Sequence, residues 1–256
     1  MDILQPSRAQ LSRWASLKEK KYRREHRQFI IEGEICVREA LAARAPLEAI
    51  VVAREHLARF ETLIRSANKP AFVANAQDFA RLSSVDTSQG ISAVGNIFEL
   101  PPRKSNVAVL AEQIADPGNC GTLLRTACFF GASVVILGSG SAEVWNPKVV
   151  RGSMGAIFRQ PFKEEHNLLE IMRTWKGDTV AAIAHGGTPL QKFGKIELPV
   201  LLLLGHETRG LSEELAKACT HHITLPGCGE AESLNLAAAA AVFLHEITRK
   251  IGAKTS

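Results

Sequence analysis

The 256-residue chain is 46% hydrophobic and 22% charged, with a formal net charge of +5, a composition suited to one large or two modest globular domains. No apolar run approaches the roughly 20 residues that span a bilayer, and the N-terminus lacks the basic-then-apolar layout of a secretory signal, so no membrane partner is expected. Five cysteines, scattered, odd in number and without a CxxC, predict free thiols in a reducing, cytoplasmic compartment.

The first segment is strongly basic. Arg13, Lys18, Lys20, Lys21, Arg23, Arg24 and Arg27 are opposed only by Glu19 and Glu25, and a helix is predicted over 11–21. Such a run can be a solvated face. Here Trp14, Tyr22 and His26 stand among the cations, where rings could stack on bases while charges meet phosphates, so Lys20, Lys21, Arg23, Arg24 and Arg27 are candidate RNA contacts.

Strands predicted at 29–31, 49–52, 71–73 and 91–95 alternate with helices at 35–43, 55–67 and 78–82. That alternation implies a layered α/β domain over residues 1–99. Pro101 and Pro102, beside Arg103 and Lys104, predict a linker at 100–106. Beyond it the pattern resumes, with strands at 107–112, 133–137, 179–184, 200–204 and 223–226 and helices at 120–130 and 168–175, near Ser212, and opening at Ser233-Leu234-Asn235, where Ser233 and Asn235 are both expected to cap it. A second α/β domain with a largely parallel sheet is expected over 107–256. The alanine run at 237–241 favours a helix that another backbone can approach closely, as across a dimer.

Twice in the last third a strand-like run breaks into a polar loop and then a helix: at Leu204 through Gly205-His206-Glu207-Thr208-Arg209-Gly210, and at Leu225-Pro226 through the loop reaching Ser233-Leu234-Asn235. Loops at strand ends are where α/β proteins bind ligands. The segment Gly138-Ser139-Gly140 lacks the third glycine, the helix and the acidic strand end of a dinucleotide fingerprint, and no phosphate-binding P-loop or GxSxG elbow is present. Cys219, His221, His222 and Cys228 do not have zinc-ligand spacing, so no metal is expected. Asp116-Pro117-Gly118-Asn119 predicts a tight turn with Asn119 capping the helix that follows. Arg125, between Leu124 and Thr126 in a mostly apolar helix, reads either as a surface arginine or as a charge facing an anion at the edge of a site.

Together, Asp116-Pro-Gly-Asn-Cys-Gly-Thr-Leu-Leu-Arg-Thr-Ala, Leu204-Gly-His-Glu-Thr-Arg-Gly-Leu-Ser and Leu225-Pro-Gly-Cys-Gly-Glu-Ala-Glu-Ser-Leu-Asn-Leu-Ala resemble the three motifs of the SpoU (TrmH-like) RNA 2′-O-ribose methyltransferases of the SPOUT superfamily. The likeness covers about 107–251, and the stretch from Asn146 to Ala156 is similar to a family segment between the first two motifs. It implies a C-terminal SPOUT domain with a deep trefoil knot, a smaller N-terminal α/β domain of ribosomal-protein-like type that binds RNA, S-adenosylmethionine as cofactor, and a homodimer with a composite active site. By motif position Asn119, Arg125, Glu207, Ser233 and Asn235 are the implied catalytic set, with Arg125 also touching RNA. Ala184, Leu204, Gly205, Glu207, Gly210, Leu225, Pro226, Ser233, Leu234 and Asn235 are the implied cofactor contacts, mainly through backbone. His206, Thr208 and Cys120 depart from the common residues, and Thr208 leaves the loop path open. The implied substrate is 23S ribosomal RNA; the alternatives are transfer RNA, methylation of a base, and an RNA-binding scaffold whose centre has decayed.

Overall fold

The computed structural model describes residues 3–230 and 233–252. In chain order the elements are β1 (Ile3–Leu4), α1 (Arg8–Ser16), α2 (Lys20–His26), β2 (Gln28–Glu32), α3 (Glu34–Ala42), β3 (Leu47–Ala53), α4 (Leu57–Ser66), β4 (Ala71–Ala74), α5 (Ala76–Leu82) and β5 (Ile91–Asn96). They continue as β6 (Val107–Ala111), α6 (Pro117–Phe129), β7 (Val135–Gly138), α7 (Pro147–Gly152), β8 (Phe162–Glu165), α8 (Leu168–Thr174), β9 (Thr179–Ala182), β10 (Thr188–Pro189), β11 (Val200–Leu204), α9 (Glu213–Lys217), β12 (His221–Thr224) and α10 (Leu236–Ile251).

Two compact units divide the chain, one formed by residues up to Phe98 together with Glu143–Arg159, the other by Glu99–Ala142 together with residues from Gln160 onward. This differs from the division expected at 100–106, because 143–159 leaves the second stretch and packs with the first. Nor is 100–106 a bare tether: the Arg103 amide donates to the Ser133 carbonyl within the second unit.

In the first unit a five-stranded sheet runs β1-β4-β3-β5-β2 among the described residues, parallel through β1, β4 and β3, with β5 antiparallel to both β3 and β2. One face carries Leu11, Trp14 and Leu17 of the α1 region against Ile30, Val51 and Phe79. The single helix predicted over 11–21 is two. Ser7 and Gln10 form a reciprocal capping box that starts α1 at Arg8, Leu17 ends it, and α2 begins after the extended Glu19.

Among the described residues the second unit has a seven-stranded sheet, β10-β12-β9-β11-β6-β7-β8, with every pairing parallel. Val200-Leu201-Leu202-Leu203-Leu204 of β11 lies near its centre and is buried throughout, as expected for a parallel strand covered on both faces. Because the strands are parallel, β6, β9, β11 and β12 all end at one edge, which brings the loops after them together. Two strands differ from expectation: β9 stops at Ala182, short of Ala184, and β12 is His221–Thr224, two residues earlier than expected, so Pro226 lies in the loop.

Candidate active site

Helix α6 starts one turn earlier than predicted. Asp116 is its N-cap, accepting from the Asn119 amide at 2.8 Å, and Pro117 occupies the first turn, where a missing N–H costs nothing. Asn119 is therefore not the cap, and its side chain is released for another task.

Asn235 caps α10. Its side-chain carbonyl accepts from the Ala237 and Ala238 amides at 2.9 and 3.3 Å. With that oxygen committed, its amide donates to Asn119 Oδ1 at 2.9 Å. Asn119 in turn has only its own amide to offer, and this donates to Glu207 Oε1. A directional chain Asn235–Asn119–Glu207 thus fixes the orientation of both amides and joins the loops after β6, β11 and β12. The capping role expected of Ser233 belongs to Asn235 alone; Ser233 is exposed, and no partner for its side chain occurs among the described residues.

The loop after β11 is closed on itself. The His206 and Gly210 amides donate to each other's carbonyls at 2.8 and 2.9 Å, Gly210 has φ +68°, and His206 Nδ1 accepts from the Thr208 amide at 3.1 Å. Thr208 has no positive φ, so the departure from glycine there is accommodated. Gly205 is required: a Cβ would sit 2.1 Å from the Gly210 carbonyl carbon and the Leu211 amide. Two residues absent from the sequence-based site brace this loop against the one after β6. Glu112 Oε2 accepts from the Ser212 amide at 2.7 Å, and Gln113 Oε1 accepts from Arg209 Nη2 at 2.8 Å. No motif marks them, since only the pairing of β6 with β11 makes them neighbours of that loop.

The implied cofactor contacts divide into two kinds. Leu204 is 3% exposed and its carbonyl accepts from the Glu112 amide at 2.9 Å, and Gly210 is spent on loop closure, so both shape the loop. Ala184 accepts from Thr224 Oγ1 at 2.7 Å, which ties the ends of β9 and β12 together. Leu225 is half-buried, whereas Pro226, Ser233, Leu234 and Asn235 are exposed; Ala231 and Glu232 lie outside the described residues. Among the described residues, the backbone N–H and C=O groups of 225–230 have no protein backbone partner. A hydrogen-bonding edge flanked by Leu225 and Leu234 suits a ligand with a heteroaromatic ring, as an adenosyl group has.

Arg125 stands apart from the chain of amides. Six residues past Asn119, it is displaced by about 9 Å along the helix and by roughly a third of a turn around it. It is exposed, no acceptor partners it among the described residues, and its face of α6 is shared with Thr122 and the 82% exposed Phe129. Of the two readings open in the sequence, the exposed arginine is the one this chain presents.

Of the candidate RNA contacts, Lys20, Lys21, Arg24 and Arg27 are exposed. Arg23 is not available. It is 2% exposed, its Nε and Nη2 donate to Glu143, and its Nη1 donates to the Leu17 and Lys18 carbonyls at 2.8 and 2.7 Å. Trp14 cannot stack on a base either, being fully buried with its ring edge-on to Phe72. Tyr22 stacks on His26, with the Lys21 ammonium 5.4 Å from its ring centre. Among the described residues no helix is long and apolar enough to cross a membrane, and no group of three His, Cys, Asp or Glu side chains could hold a metal ion.

Comparison with known proteins adds a family match to this geometry. The model of the SpoU rRNA Methylase family matches residues 106–245, and that of the MRM3-like substrate binding domain matches residues 9–93. The chain is 30% identical over 240 residues to the 23S rRNA (guanosine(2553)-2′-O)-methyltransferase RlmP of Bacillus subtilis, covering 91% of this chain and 94% of that one. Two solved structures are similar over nearly the whole length. The SpoU methyltransferase AviRb from Streptomyces viridochromogenes, in complex with the cofactor AdoMet, superposes with TM-score 0.83 at 26% identity, covering 96% of this chain and 99% of that one. The AdoMet-bound rRNA methyltransferase from Sinorhizobium meliloti superposes with TM-score 0.82 at 26% identity, covering 97% of each chain.

Proposed function

The chain belongs to the SpoU rRNA methylase family, and on that basis we propose that it transfers a methyl group from S-adenosylmethionine to a ribose 2′-hydroxyl of 23S ribosomal RNA. The observation that carries this reading is the chain Asn235–Asn119–Glu207, which binds the three motif loops into one polar cluster beside the open backbone edge of 225–230. A decayed scaffold would have no need of a cluster whose every amide is oriented. A transfer RNA substrate has less support than ribosomal RNA, because the relative aligned over nearly its full length is named for 23S rRNA and the N-terminal unit matches a substrate-binding domain.

When bound, S-adenosylmethionine supplies a methyl group already activated on a sulfonium. The residues of this chain that would hold it are Ala184, Gly205, Leu225, Pro226 and Leu234, through backbone groups and apolar side chains. What the protein must add is alignment of the hydroxyl, which in favourable systems accounts for about 7–11 kcal/mol of barrier, and an outlet for its proton. Asn119, held at its carbonyl by Asn235 and at its amide by Glu207, is a fixed point for the ribose. Glu207 keeps a second carboxylate oxygen that can accept a hydroxyl proton's hydrogen bond. Arg125 binds the neighbouring phosphate and stabilises the developing alkoxide; an always-charged guanidinium, with five N–H donors and no acceptor, suits that role better than that of a base.

The position of Arg125 supports a homodimer with a composite site. Its face of α6 carries the exposed Phe129, and α6 packs along α10, where Val242 is 42% exposed. A second copy covering these side chains would bring its own Arg125 to the cluster. We also propose the deep trefoil knot that the resemblance implies; α10, which follows β12 in sequence, packs on α6 and on β11 at the other side of β9. Five free cysteines suit action in the reducing cytoplasm.

Incubation with methyl-labelled S-adenosylmethionine and separate pools of 23S rRNA and transfer RNA tests the assignment. Label in 23S rRNA, at a site made resistant to alkaline cleavage, is the expected result. Label confined to transfer RNA, label on a base, or cofactor binding without transfer would each overturn it.

A further inference from the structure

The segment Glu143–Arg159 lies alongside β2, the edge strand of the first unit's sheet, and is fixed at successive points. Glu143 pairs with Arg23, just ahead of β2, and Trp145 packs on Phe29 with ring centres 4.4 Å apart. Further on, Arg151 pairs with Glu32 at the far end of β2 at 3.3 Å, while Gly155, with φ +88°, lies so close to Glu39 that a Cβ would meet the Glu39 Cβ at 2.3 Å. The segment therefore runs beside β2 in the same direction, over about 16 Å at roughly 3.3 Å per residue.

What it leaves outward is not core material. Lys148 is exposed and without a partner among the described residues. Arg151 reaches Ser84 and Glu32 yet keeps 32% of its side chain exposed. Met154 is 37% exposed and holds φ +49°, a left-handed conformation that a methionine adopts only at some cost. At the start of the same strand stand the exposed Lys20, Lys21, Arg24 and Arg27 of the α2 region. The two sets make one ridge, basic from α2 through Lys148 to Arg151, with an apolar side chain at its end. A ridge of that length can face more than one phosphate of a strand.

We propose that the RNA strand follows this ridge, with Lys148 meeting a phosphate and Met154 an unstacked base, so that the 143–159 segment is part of the RNA-binding surface. It rests on RNA being the substrate. The match to a substrate-binding domain ends at residue 93 and does not include this segment.

The test uses the full chain and in vitro transcribed 23S rRNA, with binding followed by fluorescence anisotropy across a salt series. Lys148→Ala is expected to weaken binding about three- to tenfold near 0.1 M salt and to flatten the log–log salt slope by roughly 0.7–0.9, the signature of one lost phosphate contact. Met154→Gly keeps the left-handed backbone and removes only the side chain. It is expected to weaken binding about fivefold with the slope unchanged. Lys20→Ala with Arg24→Ala is the comparison. If that pair loses slope while Lys148→Ala and Met154→Gly bind like wild type, the ridge is overturned and the RNA assignment stands. Loss in only one of the two segment variants removes the role given to the other residue. If the wild type does not bind the RNA at all, the RNA assignment falls and the ridge with it.

Discussion

Replacing Glu143 by alanine isolates the cost of a buried charge. Arg23 and Glu143 are 2% and 8% exposed at their side chains, so the pair is screened little by solvent. Glu143 accepts from Arg23 at both Nε and Nη2, and two backbone carbonyls take Nη1. After Glu143→Ala those carbonyls remain, but the guanidinium charge is left buried without a counter-charge, a change that costs about 3–5 kcal/mol. For a chain of this length each kcal/mol moves Tm by about 2–4 °C, so a fall of roughly 6–20 °C is expected. Arg23→Met with Glu143→Leu should recover part of that loss, because the double variant buries no charge. It will not recover all of it, since the Leu17 and Lys18 carbonyls are then unpaired, at about 1–3 kcal/mol each. Thermal melts of the wild type, Arg23→Met, Glu143→Leu and the double variant, followed by circular dichroism, give the coupling energy directly. Because the chain has two compact units, only the transition that involves the first needs to move. A Glu143→Ala protein melting within a degree or two of wild type would refute the burial of this pair.

If Arg125 serves the other copy's cluster, Arg125→Ala and Glu207→Ala should each be inactive alone but regain about a quarter of wild-type activity when mixed after subunit exchange, because half the dimers are mixed and each has one intact site. Methyl transfer to 23S rRNA is the readout; no recovery, with exchange confirmed by mass, places Arg125 in its own chain's site. The thiols give a pH prediction. Burial pushes Cys36 and Cys219 up to about 11 and Cys120 up to about 12 from an ordinary 9.0. The folded chain then holds protons that the unfolded chain releases between pH 9 and about 11. Stability due to these groups is therefore complete below pH 9 and falls as pH rises. Urea midpoints measured from pH 8 to 10.5 should fall accordingly, and iodoacetamide at pH 8 should label the exposed Cys228 well before these three. Early labelling of Cys120 would contradict its burial.

The second unit's sheet was legible because Val200–Leu204 is an unbroken apolar run and its neighbours alternate with helices. Strand order was not. Asn119, Glu207 and Asn235 are separated by 88 and 116 positions along the chain, and they meet only because β6 lies beside β11, and β11 beside β9, in the folded sheet. Local rules also conflict at 116–119, where aspartate and asparagine are both good caps. Pro117 decides between them, since proline fits the first helical turn and Asp116 precedes it. The misassigned arginine is a different case. On α2, Lys20, Arg23, Arg24 and Arg27 fall within one arc by helical period, so nothing local marks Arg23 as the one that turns inward. Its partner is 120 residues away.

That separation explains why 143–159, which continues the second stretch in sequence, packs with the first unit. Val144, Trp145, Val149, Val150, Ile157 and Phe158 are buried and read as core, but apolar side chains do not say which core they belong to. The charges do. Glu143, Arg151 and Arg159 each meet an opposite charge in the first unit, Arg23, Glu32 and Glu39 in turn, and Glu32 is itself only 3% exposed beneath Arg151. Among the paired residues, one acid followed by two bases on the segment faces one base followed by two acids along α2, β2 and α3. Shifting the segment by one pairing would set Arg151 against Arg23 or Glu143 against Glu32, leaving like charges facing each other in a buried place. The apolar residues thus supply the attraction, and the order of the charges selects the register in which it can be realised.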